Sequence, residues 1–488
     1  MIITDDGPKS PVGDSTPLLG DASASNAPPA YTPPPRADPT PIGNTQIPYA
    51  VYQPIYAQQG QRRTKEPAGR RFCKAFLVAF GIWALFALFA NLAVRSVDYP
   101  VPSGIKLPVC ATTWHEKSNP NPDLSGFPYS ATNSFDFDLP SKALLLLSKG
   151  GLSNGHLRIT SSPDVRTVRV NVTINYWRAA IRDAAKVCFI DRFEGEGGVG
   201  IFTPRSWYAR PYTNRLFFDV ELILPRSDST LHVNGLSIDV NNFSYDIDAL
   251  DAYFNDLSLT ASNGKIQAKS LSAGQVSLTT SNAAVAVDSL VARKASVKLS
   301  NGPITGIYAV VDSLILKASN GAIDVVASIT GNSSLAKTQN ITMQTSNGPI
   351  KYVVDLGPTA GDAGSFRVKA TTSNHKVTAK IVSAPLNSVL AIDARTSNHL
   401  ASLALPSTYE GSFAISTSHS SAAVSRTNPQ EKDPACGSDA KCEGRKRTFY
   451  LTKVTKSSAK GSVYWESQNA DRGSVILGSS NGAATLYI

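Results

Sequence analysis

Charge is scarce in this chain: only 17% of its 488 residues are charged. The balance is basic, +10 at pH 7. Yet Lys and Arg are not interleaved with aromatics in the clusters that read nucleic acid, which argues against that partner. Methionine is scarcer still, at two residues. With abundant Ser, Thr, Val and Ala, that poverty fits an extracellular β protein better than a helical cytosolic enzyme. No catalytic constellation stands out, and nothing implies a cofactor. The first residues carry no apolar leader, so a cleaved signal peptide is not expected.

What is present begins with one long apolar run. Ala75 to Val94 reads AFLVAFGIWALFALFANLAV, 20 residues without a charge. At ~1.5 Å rise per residue such a helix covers ~30 Å, the hydrocarbon thickness of a bilayer. Arg62, Arg63, Lys65, Arg70, Arg71 and Lys74 precede it, and only Arg95 follows closely. The positive-inside rule then puts the N-terminus in the cytosol and the rest outside or in a lumen. The expected protein is single-pass, type II, with an uncleaved signal anchor over 75–94, in the plasma membrane or an endosome or vacuole.

The five cysteines divide accordingly. Cys73 borders the apolar run, whereas Cys110, Cys188, Cys436 and Cys442 all follow it. Four cysteines beyond a membrane segment predict two disulfides in an oxidising compartment. Of the three pairings, Cys110–Cys188 with Cys436–Cys442 is preferred, because the second closes a short loop. Sequons at Asn171, Asn242, Asn332 and Asn340 make a glycoprotein the expectation.

Residues 1–71 are rich in Pro, Ala, Ser and Gly and read as a disordered cytosolic tail. PPAY, from Pro28 and Pro29 to Tyr31, resembles the ligand of WW domains. DSTPLL, with Asp14, Leu18 and Leu19, resembles an acidic dileucine sorting signal. YQPI, Tyr52 to Ile55, resembles a tyrosine-based adaptor signal. The partners implied are a WW-domain ubiquitin ligase and clathrin adaptors, which makes a sorting receptor the alternative function. The basic cluster before the apolar run also favours anionic lipid.

Past the run, residues 96–133 hold six prolines and read as a stalk or linker. A β region follows over 134–256, in which only Arg178 to Val187 suggests a helix. Then a word recurs. Asn263, Asn282, Asn301 and Asn320 of Ser-Asn-Gly-like corners are spaced by 19 residues, and Asn347, Asn374 and Asn398 follow at 27, 27 and 24. Asn481 ends the series. Apolar residues keep register before each corner (Leu257/Leu259, Val276/Leu278) and after it (Ile266/Ala268, Val285/Val287). Alternation on both sides of a turn is strand, turn, strand with one face buried.

A unit this small cannot bury its apolar face alone, so units must stack. The predicted fold is mainly β: a solenoid resembling a right-handed parallel β-helix, with a β-sandwich of successive hairpins as the alternative. Its repeats span 257–425, interrupted by a cysteine-containing loop over 426–448 and resumed as β rungs over 449–488. Asn and Gly at the corner are expected to adopt left-handed conformations, with Asn amides bonding from rung to rung.

The repeated SNG word and its alternating flanks resemble the adhesin-like β-solenoid domain family of bacterial and fungal membrane proteins. That family is mostly of unassigned function and includes uncharacterised fungal single-pass proteins with a Pro-rich tail. The resemblance covers about residues 134–488. It implies a surface-binding role, toward a polysaccharide or protein, and supplies no catalytic residue.

A β-helix also raises polysaccharide lyases and hydrolases, which need gathered carboxylates. The column four residues after Asn reads Gln267, Ala286, Thr305, Asp324; six residues after, Lys269, Asp288, Ile307, Val326. No acid column forms there, so a non-enzymatic protein is expected. His375 and His399 replace the corner glycine in neighbouring repeats, with His419 near the same place in the next. Stacked imidazoles are a candidate zinc site, and histidine's tolerance of turns is the plainer explanation.

Overall fold

The structure, a computed structural model, describes residues 67–93, 98–118, 126–139, 141–205, 213–330, 337–357, 363–426, 431–437 and 444–488. The tail motifs at Asp14, Leu18, Leu19, Pro28, Pro29, Tyr31, Tyr52 and Ile55 lie outside these residues, as do Asn332 and Cys442.

The uncharged run is helical, within the 26-residue helix Ala68–Ala93. Its described side chains end at Phe86. They are exposed around the helix, Phe76, Trp83 and Phe86 among them. Among the described residues, no helix is long and apolar enough to cross a membrane.

The repeats form parallel rungs. Strands Ile266–Thr279, Val285–Lys298 and Ile304–Lys317 each run 14 residues. They pair in parallel, with Ile266 beside Val285 and Val285 beside Ile304. The first half of each lies in one sheet, where Ile266 pairs with Tyr245. The second half lies in another, where Val276 pairs with Leu257. Parallel, in-register pairing of successive units is a solenoid and not a row of hairpins.

Four residues before the corner asparagines, Leu259, Leu278, Val297, Leu316 and Met343 form an inward column with no exposure at all. Each fully buried aliphatic of this kind contributes ~1.5–3 kcal/mol. From the Asn320 rung onward the two halves become separate strands, such as Ile323–Ile329 and Thr338–Gln344. In the 24-residue repeat the added residues, 384–388, fall between Val377–Ser383 and Val389–Thr396, away from the corner. The corner itself stays in register.

The corner works differently from expectation. Among the described residues, Asn387 is the one non-glycine with positive φ, and no SNG glycine has it. The left-handed argument is thus overturned. Glycine is favoured by close approach where it occurs: a Cβ on Gly321 would stand 1.6 Å from the carbonyl oxygen of Gly302 in the preceding rung, whereas Ala283, His375 and His399 take the same position in other rungs. Asparagine is required by its amide. Asn263 donates to Asn242, Asn282 to Asn263, Asn301 to Asn282 and Asn320 to Asn301, at 2.6–2.7 Å. Asn347, Asn374, Asn398 and Asn481 continue the ladder.

Chain order and rung order part at the end. The last strands, Gly473–Ser479 and Ala484–Tyr487, insert between the Asn398 rung and the rung of Gly411–Thr417 and Ala422–Ser425. Antiparallel strands finish both ends of the stack. On the first sheet Leu216–Pro225 pairs in parallel with Asn154–Ser162, and antiparallel Val168–Tyr176, Tyr129–Phe137 and His115–Ser118 then close it. Lys186–Asp191 closes the second at the same end. At the other end Ser458–Tyr464 pairs with Gly411–Thr417 and carries Thr448–Thr455. Turning the terminal strands antiparallel lets the chain cap a stack that would otherwise template further pairing.

Two further expectations change. The helix read over Arg178 to Val187 shrinks to Ala179–Arg182, because Lys186–Asp191 is a strand. The stalk is no free spacer from residue 98 on. Tyr99, Val101, Ile105 and Leu107 pack on buried Leu145, Ile190 and Phe202, and Cys110 is disulfide-bonded to Cys188. Cys436 is also disulfide-bonded, while Cys73 is free and exposed.

Candidate functional site

The corner edge brings His375 and His399 together as the spacing predicts. Their rings stack 5.4 Å apart at 9°. Each Nδ1 accepts from the next backbone N–H, Lys376 at 3.0 Å and Leu400 at 2.9 Å. Both Nδ1 atoms are therefore committed, leaving only Nε2 to face a ligand. His419 does not join them: its N–H, like that of Ser418, bonds Ser480 O, so the Asn481 rung stands between. Among the described residues no group of three His, Cys, Asp or Glu is placed to hold a metal.

The densest outward chemistry lies elsewhere, on the first sheet at its N-terminal end. Alternation along Leu216–Pro225 is strict, with Leu216, Phe218, Val220, Leu222 and Leu224 buried. That turns Phe217, Asp219 and Glu221 outward on one face. Asn154–Ser162 likewise turns out His156 and Arg158, and Asn242–Ala249 turns out Ser244, Asp246 and Asp248.

Register aligns these into two rows. One runs Thr132, Thr173, Asp219, His156, Ser244; the other runs Ser134, Asn171, Glu221, Arg158, Asp246, Gln267. Neighbours in a row stand ~4.8 Å apart, and the rows themselves about two residues apart along the strand, ~6.7 Å. Asn175 Nδ2 donates to Asp219 Oδ2 at 2.9 Å, and Asn171 Nδ2 to Glu221 Oε2 at 3.3 Å. Ser134 Oγ donates to Asn171 Oδ1 at 2.8 Å. Beside the rows, Phe127 and Phe217 pair with ring centroids 6.3 Å apart. Burial raises the Asp219 carboxyl pKa above its ordinary value, opposed by the Asn175 hydrogen bond and by His156 and Arg158.

The result is an open polar platform: two carboxylates, a guanidinium, an imidazole, hydroxyls and amides on a rigid sheet, with aromatic surface at one margin. Such a grid hydrogen-bonds a polar ligand from above. Sequence reasoning missed it because acids were sought only in the regular rungs. The signal was there in LFFDVELILP and HLRIT, whose outward positions carry Asp219, Glu221, His156 and Arg158. Carrying the two acid columns back from Asn242, which heads the ladder, reaches Asp246 and Asp248.

Three sequon asparagines lie among the described residues. Asn171 belongs to the platform, and Asn242 Nδ2 donates to Ser153 O. Asn340 Nδ2 donates to Thr338 O.

The cysteine loop is tied down by charge. Arg445 donates to Asp433 through Nε at 2.7 Å and Nη2 at 2.9 Å, and to Glu466 through Nη1 at 2.6 Å. Arg447 pairs with Glu431. Both arginines are thus held by ion pairs to carboxylates. Hydrogen bonds from the Arg445 side chain hold the Asp433 carboxyl well below the usual carboxylate range. A carboxyl depressed on folding stabilises above its unfolded pKa of ~3.9 and loses that contribution as pH falls through the folded value. The protection factor against hydrogen exchange over 431–437 and 444–447, with the intrinsic pH dependence divided out, should therefore be constant above about pH 5 and fall in acid below it. Asp433→Asn should exchange fast at every pH; acid-independent protection in the wild type would contradict the pairing.

A parallel solenoid with an outward polar platform is thus the class that fold and site define. A family model described as "Domain of unknown function (DUF7330)" matches residues 293–432, within the rungs. Among solved structures, that of a "putative cell adhesion protein" from Clostridium sporogenes aligns over 73% of this chain and 99% of its own, at 11% identity. Its TM-score is 0.14, too low to bear on fold or function. No curated protein matches.

Proposed function

We propose that the chain is a single-pass membrane protein that holds its β-solenoid outside the cell or in a lumen as a non-enzymatic binding surface, serving adhesion or cell-surface structure. The platform around Asp219, Glu221, His156 and Arg158 carries this reading, because it offers convergent hydrogen-bonding groups on a sheet too open to enclose a reaction. The anchor rests on the uncharged stretch Ala75 to Val94 and its basic N-terminal flank. The Cys110–Cys188 disulfide agrees with an oxidising compartment beyond it.

The test is retention of the full chain, in neutral detergent, on an array of glycans and peptides. Asp219→Asn with Arg158→Ala should weaken retention by about tenfold, the loss of two charge-assisted hydrogen bonds. Asp324→Asn, in the regular rungs, should leave it unchanged. Equal retention by the platform variant would overturn the reading.

One observation favours a second reading, a polysaccharide-active enzyme. Burial raises the Asp219 carboxyl pKa, and Asp219 stands two residues from Glu221 on the same face, the paired-carboxylate arrangement of glycoside hydrolysis. Release of new reducing ends, abolished by Asp219→Asn, would establish it.

A further inference from the structure

The two sheets treat their outward charges differently. On the first sheet acids and cations interleave: Lys269 bonds Asp248 at 2.6 Å and Lys351 bonds Asp324 at 3.3 Å, while exposed Lys380 has no ion pair among the described residues. On the second sheet four successive rungs present a grid. Its rows are Lys294, Ser296, Lys298; Ser313, Ile315, Lys317; Asn340, Thr342, Gln344; and Arg367, Lys369, Thr371, aligned by register. Five of these positions are cations and none is an acid. Lys294, Lys298, Lys317, Arg367 and Lys369 are all exposed. None takes part in the ion pairs found among the described residues. Lys298 and Lys317 lie directly opposite each other on neighbouring strands, a like-charge pairing that costs stability. In the next rung Arg395 is matched again, by Asp393 at 2.5 Å.

A shallow trough runs into this grid from the earlier rungs. Its floor is the serine column Ser258, Ser277 and Ser296, with Lys294 and Ser313 on the margin toward the grid and Asp256 and Gln275 at the far end. The column follows the solenoid axis at ~4.8 Å per rung, about the length of one sugar ring. We propose that this face binds a linear anionic polysaccharide, carboxylated or sulfated, lying along the axis, with hydroxyls over the serine trough and anionic groups over the five cations. Hydroxyl and amide side chains between the cations suit sugar hydroxyls. A membrane surface would call for inserting apolar or aromatic side chains, and the grid has Ile315 alone.

The proposal bears on a sequon. Asn340 stands inside the grid, so a glycan there would cover it; the proposal expects Asn340 unmodified.

It rests on the reading of the stack as a binding surface but uses the opposite sheet from the platform, so the two fail separately. The experiment measures binding of the full chain, in neutral detergent, to polygalacturonate and to heparin. Binding should weaken steeply as salt rises past ~0.1 M, where the Debye length is ~10 Å. Lys298→Glu with Lys317→Glu should cost about tenfold or more in affinity, and Lys269→Gln with Lys351→Gln nothing. Loss of binding in both pairs, absence of polyanion binding, or a glycan on Asn340 would overturn the inference. So would anionic phospholipid vesicles that displace the polysaccharide. Polyanion binding absent while platform-dependent retention persists would remove this inference alone; absence of both would remove the wider reading.

Discussion

Cys188→Ser is expected to lower the stability of the β body by about 4 kcal/mol. The bond joins residues 78 apart in sequence, and closing a loop of that length removes much of the unfolded chain's freedom. The folded side of the balance matters as well. Residues 106–111 run beside the edge strand Lys186–Asp191, with Lys106 N donating to Asp191 O and Phe189 N to Val109 O, both at 2.8 Å. That strap covers a sheet edge which, freed, would pair with another chain. Denaturation midpoints of wild type and variant should therefore diverge, and the variant should aggregate on partial unfolding. A midpoint unchanged in Cys188→Ser, with the Cys436 disulfide intact, would contradict the role assigned to the strap.

Glu410→Ala is expected to cost about 3–5 kcal/mol. Glu410 is 7% exposed. Its Oε1 accepts from the backbone N–H groups of Trp465 at 2.7 Å and Glu466 at 3.0 Å. Its Oε2 accepts from Asn469 Nδ2 at 2.8 Å, and Arg472 Nη1 stands 3.8 Å away. Its own carbonyl accepts from Gly473 N at 3.0 Å. One side chain thus organises the return of the chain into strand Gly473–Ser479, which must slot between two rungs already present. Truncation leaves three donors without an acceptor in a dry site. Glu410→Gln keeps one acceptor oxygen and should lose less, about 1–3 kcal/mol. Chemical denaturation separates the two; an alanine variant within about 0.5 kcal/mol of wild type would contradict this account.

The regular part of the fold was legible in the sequence because each rung repeats the same physical problem. The columns of Leu259, Leu278, Val297 and Leu316 and the evenly spaced asparagines favour parallel stacking in register over successive hairpins, and the parallel register decides between them. The Cys110–Cys188 pair was legible too, from position and loop length. The corner's cause was not: nothing in the letters SNG distinguishes a left-handed turn from a close rung-to-rung approach with an amide ladder. Chain order hid the insertion of the Asn481 rung, since a repeat marks membership in the stack and not place in it, and His419 was misplaced with it. The platform escaped because Asp219 and Glu221 lie on a capping strand outside the period. The unpaired cations of the second sheet emerge only once register shows which charges have neighbours.

The claim that the stack is a binding surface is tested most directly by incubating the full chain with a panel of neutral and acidic polysaccharides, scoring retention and new reducing ends in the same samples. The account predicts retention that Asp219→Asn with Arg158→Ala weakens on the platform and Lys298→Glu with Lys317→Glu weakens on the basic face, with no reducing ends released. Reducing ends that accumulate with time and vanish in Asp219→Asn would contradict it.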